Sequence, residues 1–299
     1  MKITFCINTA KNEREYIELL LMSLLNGINV HLHDILIFVD SDNQNTTGML
    51  VEQKVLFPNL TIVKNNGLPI GYQKNINWMF QYAKTEILSY LQSDMVVALK
   101  YDEAIFSHIK DNMILSATRV EPPLHAPYDT SVNYVQNFGV VPSEFKYEDF
   151  LRYAEIKKDP NKTTPYFFAP FTLYKHIWNN IGGHDVQFIK SREDSDIILR
   201  LCLDKRTIIQ QWDAIVYHFT CTSSRGLNWW KWNIEHPELE QQRQKNDAIE
   251  LQRFITKWGR FMHPCSYGEI ESYVKQHPEL MDKIKVVNPP IDTSLFEIL

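Results

Sequence analysis

Ile35-Leu36-Ile37-Phe38-Val39-Asp40-Ser41-Asp42-Asn43 is an unbroken apolar run that stops abruptly on acids and amides. A continuous run of this kind, bounded by turn residues, reads as a strand buried on both faces, as in a parallel sheet. The sequence on either side supports that reading. Upstream, Lys2 to Ile7 is a second buried strand, and Asn8 to Glu13 is a polar turn into a helix. Ile17, Leu20, Leu21, Leu24 and Leu25 give this helix one apolar face. Downstream, Met49 to Phe57 reads as helical and Thr61 to Val63 as a short strand. Gly71 opens a helix with Ile76, Met79, Phe80 and Ala83 on one side, and Ile87 to Leu91 is a strand ending at Gln92-Ser93-Asp94. Strands alternating with helices predict βαβ units and a mainly parallel sheet. Such sheets bind ligands beyond the carboxyl ends of their strands. Three polar tips, Asn8 to Asn12, Asp40 to Asn43 and Gln92 to Asp94, are therefore expected to converge on one crevice.

The second half is less regular. Met113 to Ala117 is one more strand. Arg119 to Pro165 is rich in Pro, Tyr, Phe, Asn and acids and shows no strong period. It reads as a long insertion that shapes a substrate pocket or as a covering excursion. After the aromatic stretch Tyr166 to Tyr174 come Gly182-Gly183-His184-Asp185 and then Glu193-Asp194-Ser195-Asp196. The latter begins a helix carrying Ile197, Ile198 and Leu201. Ser191 and Asp194 have capping-box spacing, and acids in a first turn suit the helix dipole, so this segment also has a purely structural reading. Ile208 to His218 looks like a hairpin or strand pair. Trp229, Trp230 and Trp232 flank Lys231; they either stack on a ligand or anchor the C-terminal helix, and packing is the reading favoured for at least one. Leu251, Phe254, Ile255 and Trp258 mark an amphipathic helix, and Gly268 to Leu299 reads as one or two helices with an extended end.

Composition narrows the class. The chain has 299 residues, is 44% hydrophobic and 22% charged, and carries a net charge of −5 with no long basic run. Nucleic acid is not an expected partner. The four cysteines, Cys6, Cys202, Cys221 and Cys265, form no CxxC pair and read as reduced thiols. No segment reaches the ~18 apolar residues needed to span a bilayer, and the N-terminus lacks a signal-peptide layout. The expected localisation is cytoplasmic. His31 and His33, an i, i+2 pair, read as loop residues away from the crevice.

Several residues carry chemistry by type and place. Asp40 follows a buried strand directly, where a carboxylate can accept from a base imide or ribose hydroxyls; an Asx turn is the structural alternative. Asp94 and His218 suit a hard divalent cation such as Mn2+ or Mg2+ that shares its shell with a diphosphate. Gly71 to Asn75 opens a helix with a glycine and a cation, suited to a phosphate or ribose edge.

Taken in order, these segments resemble family 2 glycosyltransferases of the GT-A fold. Asn12-Glu13 is similar to the early Asn-Glu turn of that family, and Val39-Asp40-Ser41-Asp42 to its Val-Asp-Asp strand end. Lys74-Asn75 resembles an Arg-Asn pair, and Ser93-Asp94 takes the place of the metal-binding DxD. Gly182 to Asp185 with Glu193-Asp194 resembles the Gly-Gly-Phe-Asp and Glu-Asp pair. Tyr217-His218 with Ser223-Ser224-Arg225 resembles the late His and phosphate loop, and Lys257-Trp258-Gly259 a motif that often closes the domain. The likeness covers roughly residues 1 to 260 and rests on order and spacing more than on any single motif.

The resemblance implies a GT-A fold: a Rossmann-like α/β architecture with a mixed, mainly parallel sheet flanked by helices. Residues 1–226 would form the transferase domain, divided near residue 118 into nucleotide-sugar and acceptor halves, and residues 227–299 a mainly helical C-terminal extension. It further implies inverting transfer from a nucleotide-diphosphate sugar to a hydroxyl acceptor, a glycan by expectation. Thr9, Asn12, Glu13, Asp40, Lys74, Asn75 and Ser93 would bind the nucleotide, and Asp94 and His218 the Mn2+ or Mg2+. Asp194 would be the general base, its pKa raised by like charges. Glu193 and Asp196 would orient hydroxyls, and Ser223, Ser224, Arg225 and Trp229 would contact phosphate or substrate. Two departures stand out: Gln92 replaces the first acid of the DxD, and Ser41 replaces an acid after Asp40. A nucleotidyltransferase is a weaker reading, because Asn8 to Glu13 holds no Gly-rich phosphate loop. A binding module without catalysis is supported by Gln92 and opposed by the retained acids at 193–196.

Overall fold

A computed structural model describes residues 1–124, 126–189, 191–220, 237–263 and 267–299. Among these, eleven strands form one mixed sheet. The strands are β1 (Ile3–Thr9), β2 (Asp34–Val39), β3 (Leu60–Asn65), β4 (Ile87–Gln92), β5 (Met95–Val97), β6 (Met113–Glu121), β7 (Asn133–Val135), β8 (Asp159–Thr164), β9 (Phe171–Tyr174), β10 (Thr207–His218) and β11 (Phe296–Ile298). The described helices are α1 (Arg14–Gly27), α2 (Thr46–Gln53), α3 (Tyr72–Tyr82), α4 (Tyr101–His108), α5 (Tyr147–Lys157), α6 (Lys175–Ile181), α7 (Glu193–Leu203), α8 (Pro237–Trp258) and α9 (Tyr267–Gln276).

The strand order is β11-β3-β2-β1-β4-β9-β6-β10-β5, with β7 on β6 and β8 on β10. β3, β2, β1 and β4 are mutually parallel, so their polar ends lie together, Thr9 opposite Val39 and Asn8 opposite Gln92. β9 runs antiparallel between β4 and β6. β10 is parallel to β6 and antiparallel to β5, a pairing that sets His218 opposite Met95, one residue beyond Asp94.

Side chains that alternate along each strand fill two layers. Cys6, Leu36 and Phe38 face α3, α6, α7, α8 and α9, whereas Phe5, Ile7, Ile35, Ile37 and Val39 face α1, α2 and α4. A smaller aromatic cluster of Phe138, Phe150, Tyr217 and Phe219 lies under α5.

Several segments differ from the sequence reading, each for a local reason. Residues 119–165 are not a featureless excursion: they hold β7, α5 and β8 and complete the sheet. Ile208 to His218 is one long strand rather than a hairpin. Its polar residues are buried, with Gln210 Nε2 donating to Thr118 Oγ1 at 2.7 Å, and a register shift between Gln211 and Ile215 takes up the irregularity. Ser191 does not cap α7. The position before α7 is Arg192 at φ 71, with no side-chain cap, while Ser191 donates from N and Oγ to Glu250 of α8. His33 lies in the bend before β2, as expected, and its fully buried ring bonds Asp102 at 2.9 Å. The C-terminal segment has the extended end expected from its sequence, and within that end β11 closes the β3 edge of the sheet.

Candidate functional site

The strand ends and the start of α7 enclose a cavity of about 500 Å3. One wall comes from the β4–β5 turn and from β10. Asp94 Oδ1 faces His218 Nε2 at 3.8 Å, and on the far side of the ring Nδ1 lies 2.9 Å from Glu121 Oε1. With a proton on Nδ1, toward the Glu121 carboxylate, the ring turns its Nε2 lone pair toward Asp94. Two electron-pair donors facing one another across that gap fit a cation between them. Among the described residues no group of three acidic, His or Cys side chains is placed to hold a metal ion alone. An ion held there would need further oxygen ligands from a bound ligand and water.

Glu121 belongs to β6, and Arg119 lies two residues earlier on the same face. The Arg119 guanidinium lies 3.9 Å over the Phe168 ring, with Nε 3.3 Å from Glu121 Oε1. Arg119 is buried and lines the cavity, which otherwise carries the acids Glu13, Asp94, Glu121, Glu193 and Asp194. Glu13 is tied into the first strand tip: its Oε2 accepts from Ala10 N at 2.8 Å and from Ser93 Oγ at 2.7 Å. Burial raises the Glu13 pKa above the ordinary value, with those hydrogen bonds opposing the rise and the Asp94 charge adding to it.

The opposite wall is the first turn of α7. Burial, reinforced by the Glu193 charge and opposed by Arg119, pushes the Asp194 carboxyl up to about 8. Burial also raises Glu193, against the opposing hydrogen bond of the Tyr72 hydroxyl. A helix start needs an anchor to hold two acids in place. Here Glu250 of α8 accepts from Ile189 N at 3.0 Å and from Ser191, and so staples the preceding loop.

Asp196 requires a correction: it does not reach the cavity. It is fully buried and takes Arg200 Nε at 2.8 Å, Lys257 Nζ at 2.7 Å and Trp258 Nε1 at 2.9 Å. Two residues beyond Asp194, it is turned about 200° around the helix axis. Lys257 and Trp258, read from sequence as a closing motif, act here as its partners.

The other expected residues divide into two groups. Glu13, Ser93, Asp94, Glu193, Asp194 and His218 all line the cavity. Thr9 is buried at the end of β1. Asn12, at φ 63, interlocks with Asn43 through bonds of 3.0 and 2.8 Å. Asp40 is buried and accepts from Ile70 N and Gly71 N at 2.9 Å each and from Asn65 Nδ2 at 3.1 Å, so in this structure it pins the loop before α3. Lys74 and Asn75 lie on α3 behind Tyr72, away from the cavity lining, and the buried Asn75 amide has no partner among the described residues. Ser223, Ser224, Arg225 and Trp229, with Trp230 and Trp232, lie outside the described residues.

Sequence reasoning missed Arg119, Glu121, Phe168 and Tyr72 as site residues and gave His184 no role. The strand reading stopped at Ala117, two residues short of Arg119. Carrying it on with period two would have put Arg119 and Glu121 on one face at a strand end. The turn carrying His184 is held from three sides. Gly182 and Gly183 both have φ 75, and a Cβ on either would collide, with Val286 O and Asn77 Oδ1 respectively. His184 N donates to Asn77 Oδ1 at 2.8 Å, and its carbonyl accepts from Asn77 and Asn288.

Residues 6–179, more than half of the chain, match the family described as "Glycosyl transferase family 2". The fold is similar to that of S. aureus TarS (residues 1–349), with 15% identity and TM-score 0.53 over 93% of this chain and 72% of that one. It is also similar to the mannosyltransferase PcManGT from Pyrobaculum calidifontis in complex with GDP-Man and Mn2+, with 13% identity and TM-score 0.57 over 94% and 73% of the two chains. A third likeness is GalNAc-T7 with UDP, GalNAc and Mn2+, at 12% identity and TM-score 0.54 over 73% of this chain and 43% of that one. At such identities these likenesses speak for the GT-A fold alone. None of the curated proteins compared with the chain matches it. No described helix is long and apolar enough to cross a membrane.

Proposed function

The chain belongs to glycosyl transferase family 2 and so moves a sugar from a nucleotide-sugar donor; we propose that it does so with inversion, using Asp194 as general base and a divalent ion held by Asp94 and His218. One observation carries this reading: a single cavity has the Asp94–His218 pair on one wall and a carboxyl raised to about 8 on another.

The residues take the following roles. Asp94 and His218 hold the ion against the donor diphosphate, and Glu121 orients the imidazole. The ion, Mn2+ or Mg2+, supplies Lewis-acid stabilisation of the charge that builds on the departing nucleoside diphosphate. Asp194 takes the proton of the acceptor hydroxyl as that oxygen attacks the anomeric carbon, and a base with a pKa near the working pH is well matched to this. Glu193 orients a sugar hydroxyl. Arg119 adds positive charge in the cavity, where the diphosphate brings negative charge. The nucleoside extends over the Asn12 and Asp40 tips, and Ser223 to Arg225 add phosphate contacts. The acceptor is a hydroxyl of a glycan.

Two results are expected. A donor of one nucleotide class together with Mn2+ raises the melting temperature by several degrees, since saturation to 100 Kd contributes about 2.7 kcal/mol; either component alone gives a smaller shift. A differential scanning measurement over UDP-, GDP- and TDP-sugars reads this directly, and equal curves for every combination contradict the donor site. Separately, Glu121→Gln weakens Mn2+ binding about 10- to 100-fold, the usual effect of losing a carboxylate behind a ligating His. Titration of the metal by calorimetry in the presence of nucleoside diphosphate checks it. A second reading, donor binding without transfer, is favoured by Gln92 in place of an acid. Release of nucleoside diphosphate from the donor separates the two, since a binding module releases none.

A further inference from the structure

Arg119 brings positive charge to the cavity wall, yet its guanidinium makes no hydrogen bond to any described residue. Nε is buried without a partner. Glu121 Oε1 lies 3.3 Å from it, but that carboxylate is already engaged, Oε1 with His218 Nδ1 at 2.9 Å and Oε2 with Asn133 Nδ2 at 3.1 Å. Nη1 and Nη2 bond to none of the described side chains or carbonyls; the contacts of this group are the Glu121 charge and the Phe168 ring. The 7% of the side chain that stays exposed opens on the cavity that Arg119 lines. A guanidinium carries five N–H donors in one plane and keeps its charge at any working pH. Leaving them unused in a buried place is destabilising, and nearly all such groups in folded proteins find a partner.

The side chain is nevertheless held still. Its guanidinium carbon stands 3.9 Å over the Phe168 ring, and that ring stacks on Tyr166 at 6.3 Å with planes 6° apart. Phe168 N donates to Ser116 Oγ at 3.1 Å, which ties this platform to β6. A guanidinium resting over an aromatic ring keeps N–H groups free to pair with the oxygens of a carboxylate or phosphate. Its place separates it from Asp94. Asp94 faces the Nε2 edge of the His218 ring, whereas Glu121, with Arg119 beside it, lies on the Nδ1 edge. Asp194, in contrast, feels the Arg119 charge, which opposes the rise of that carboxyl. Five acids line the same cavity, Glu13, Asp94, Glu121, Glu193 and Asp194, and they repel any anion that lacks a cationic contact.

We infer that Arg119 is a specificity-determining residue that binds an anionic group of the acceptor, a phosphate or a uronate carboxylate close to the hydroxyl that is glycosylated; the inference rests on the transferase reading above. The acceptor class is thus an anionic glycan. Phosphate and carboxylate present the same pair of oxygens to the guanidinium, and the arms of the test separate them.

The test uses the nucleotide sugar from which wild type releases nucleoside diphosphate fastest with Mn2+, and two acceptor pairs. Glucose 6-phosphate is compared with glucose, and methyl glucuronide with methyl glucoside. Wild type favours the anionic member of one pair by about 10- to 100-fold in kcat/KM, the size of a charge-assisted hydrogen bond, and that pair identifies the anion. Arg119→Met abolishes the preference. Arg119→Lys, charged but without the planar fork, keeps part of it. The ratio within a pair cancels any loss common to both acceptors, so a merely structural role for Arg119 leaves the ratio unchanged. Phe168→Leu, which removes the platform, lowers the ratio in the same direction and carries the test with Arg119→Lys if Arg119→Met does not fold. A ratio within twofold of one in wild type, or one that survives in Arg119→Met, overturns the assignment. So does an Arg119→Met variant that changes only the choice between nucleotide sugars with and without a uronate, since the anion then belongs to the donor. If wild type releases no nucleoside diphosphate from any nucleotide sugar, the transferase reading fails. Calorimetry of glucose 6-phosphate and glucuronate binding then still reads the anion site: binding that is lost in Arg119→Met supports it, and a wild type that binds neither overturns it.

Discussion

Asp194→Asn lowers kcat by about 10^3- to 10^4-fold while the protein becomes more stable at alkaline pH. The loss follows from removing the proton acceptor at the reacting hydroxyl, a contribution typically of 10^2 to 10^4. The gain follows from linkage. The Asp194 pKa is raised from 3.8 in the reference state to about 8 in the folded protein by burial and by Glu193. A carboxyl raised in this way favours the fold fully below the reference pKa, and that contribution is lost as pH rises through about 8. Wild type therefore loses stability relative to the asparagine variant across this interval, and the melting temperatures diverge most above pH 8. The same ionisation governs activity with the opposite sense: kcat/KM of the wild type rises with pH toward a plateau above about 8. Rate profiles and thermal melts over pH 5 to 9 measure both. An asparagine variant that keeps the wild-type rate refutes the base assignment, and one that loses stability at pH 9 refutes the burial argument.

Asp196→Ala, two residues away, destabilises the protein by about 3–5 kcal/mol, the range found when one partner of a buried ion pair is removed. Arg200 is fully buried, with Nη1 donating to the carbonyls of Ile181 and Gly183 at 2.8 and 2.6 Å, so its charge cannot reach water when Asp196 is gone. Lys257 and Trp258 lose the same anchor, and with it the docking of α8 on α7. Against a total stability of about 5–15 kcal/mol, a loss of this size is a large share of what holds the fold. Burial alone would raise the Asp196 pKa, but the Arg200 and Lys257 charges overcome it and hold the carboxyl below its ordinary value. Stability from a depressed carboxyl is present above the reference pKa and lost as pH falls through the folded value. Urea midpoints of variant and wild type should therefore differ most near neutrality and converge in acid. A difference that is unchanged down to pH 3 contradicts the charged network.

These two acids show what the sequence could and could not convey. Glu193, Asp194 and Asp196 look alike as letters, and their shared helix start was legible from the apolar spacing that follows. Which of them faces the cavity depends on helix phase, and the clue was Arg200, four residues from Asp196 and on the same face. The parallel strands were legible because both their faces are buried, leaving apolar runs without polar interruption. β10 was misread because Gln210, Gln211 and Asp213 look like turn residues, whereas inside the sheet Gln210 finds Thr118 and the Val132 carbonyl. β7, β8 and β11 are short or polar and become strands through pairing rather than through their own composition. The wall that carries Asp94 and His218 was half legible. Both could be named as cavity residues, but Glu121, which contacts the imidazole, is brought to it only by the β6–β10 register.

The pairing of β11 with β3 also bears on how the chain reaches its fold. Phe296 lies beside Asn65, and its ring packs edge to face on Phe38 at 5.0 Å and on Trp78 at 5.5 Å. This contact joins segments more than two hundred positions apart, so it forms late, after the entropy of a very long loop has been overcome. During synthesis the outer rim of the nascent sheet stays open until residues 296–298 have emerged, with β3 presenting unpaired amides and carbonyls to whatever strand comes near. Recovery of active protein from denaturant should therefore depend on dilution, with crowding diverting chains into exchanged or aggregated forms before β11 arrives.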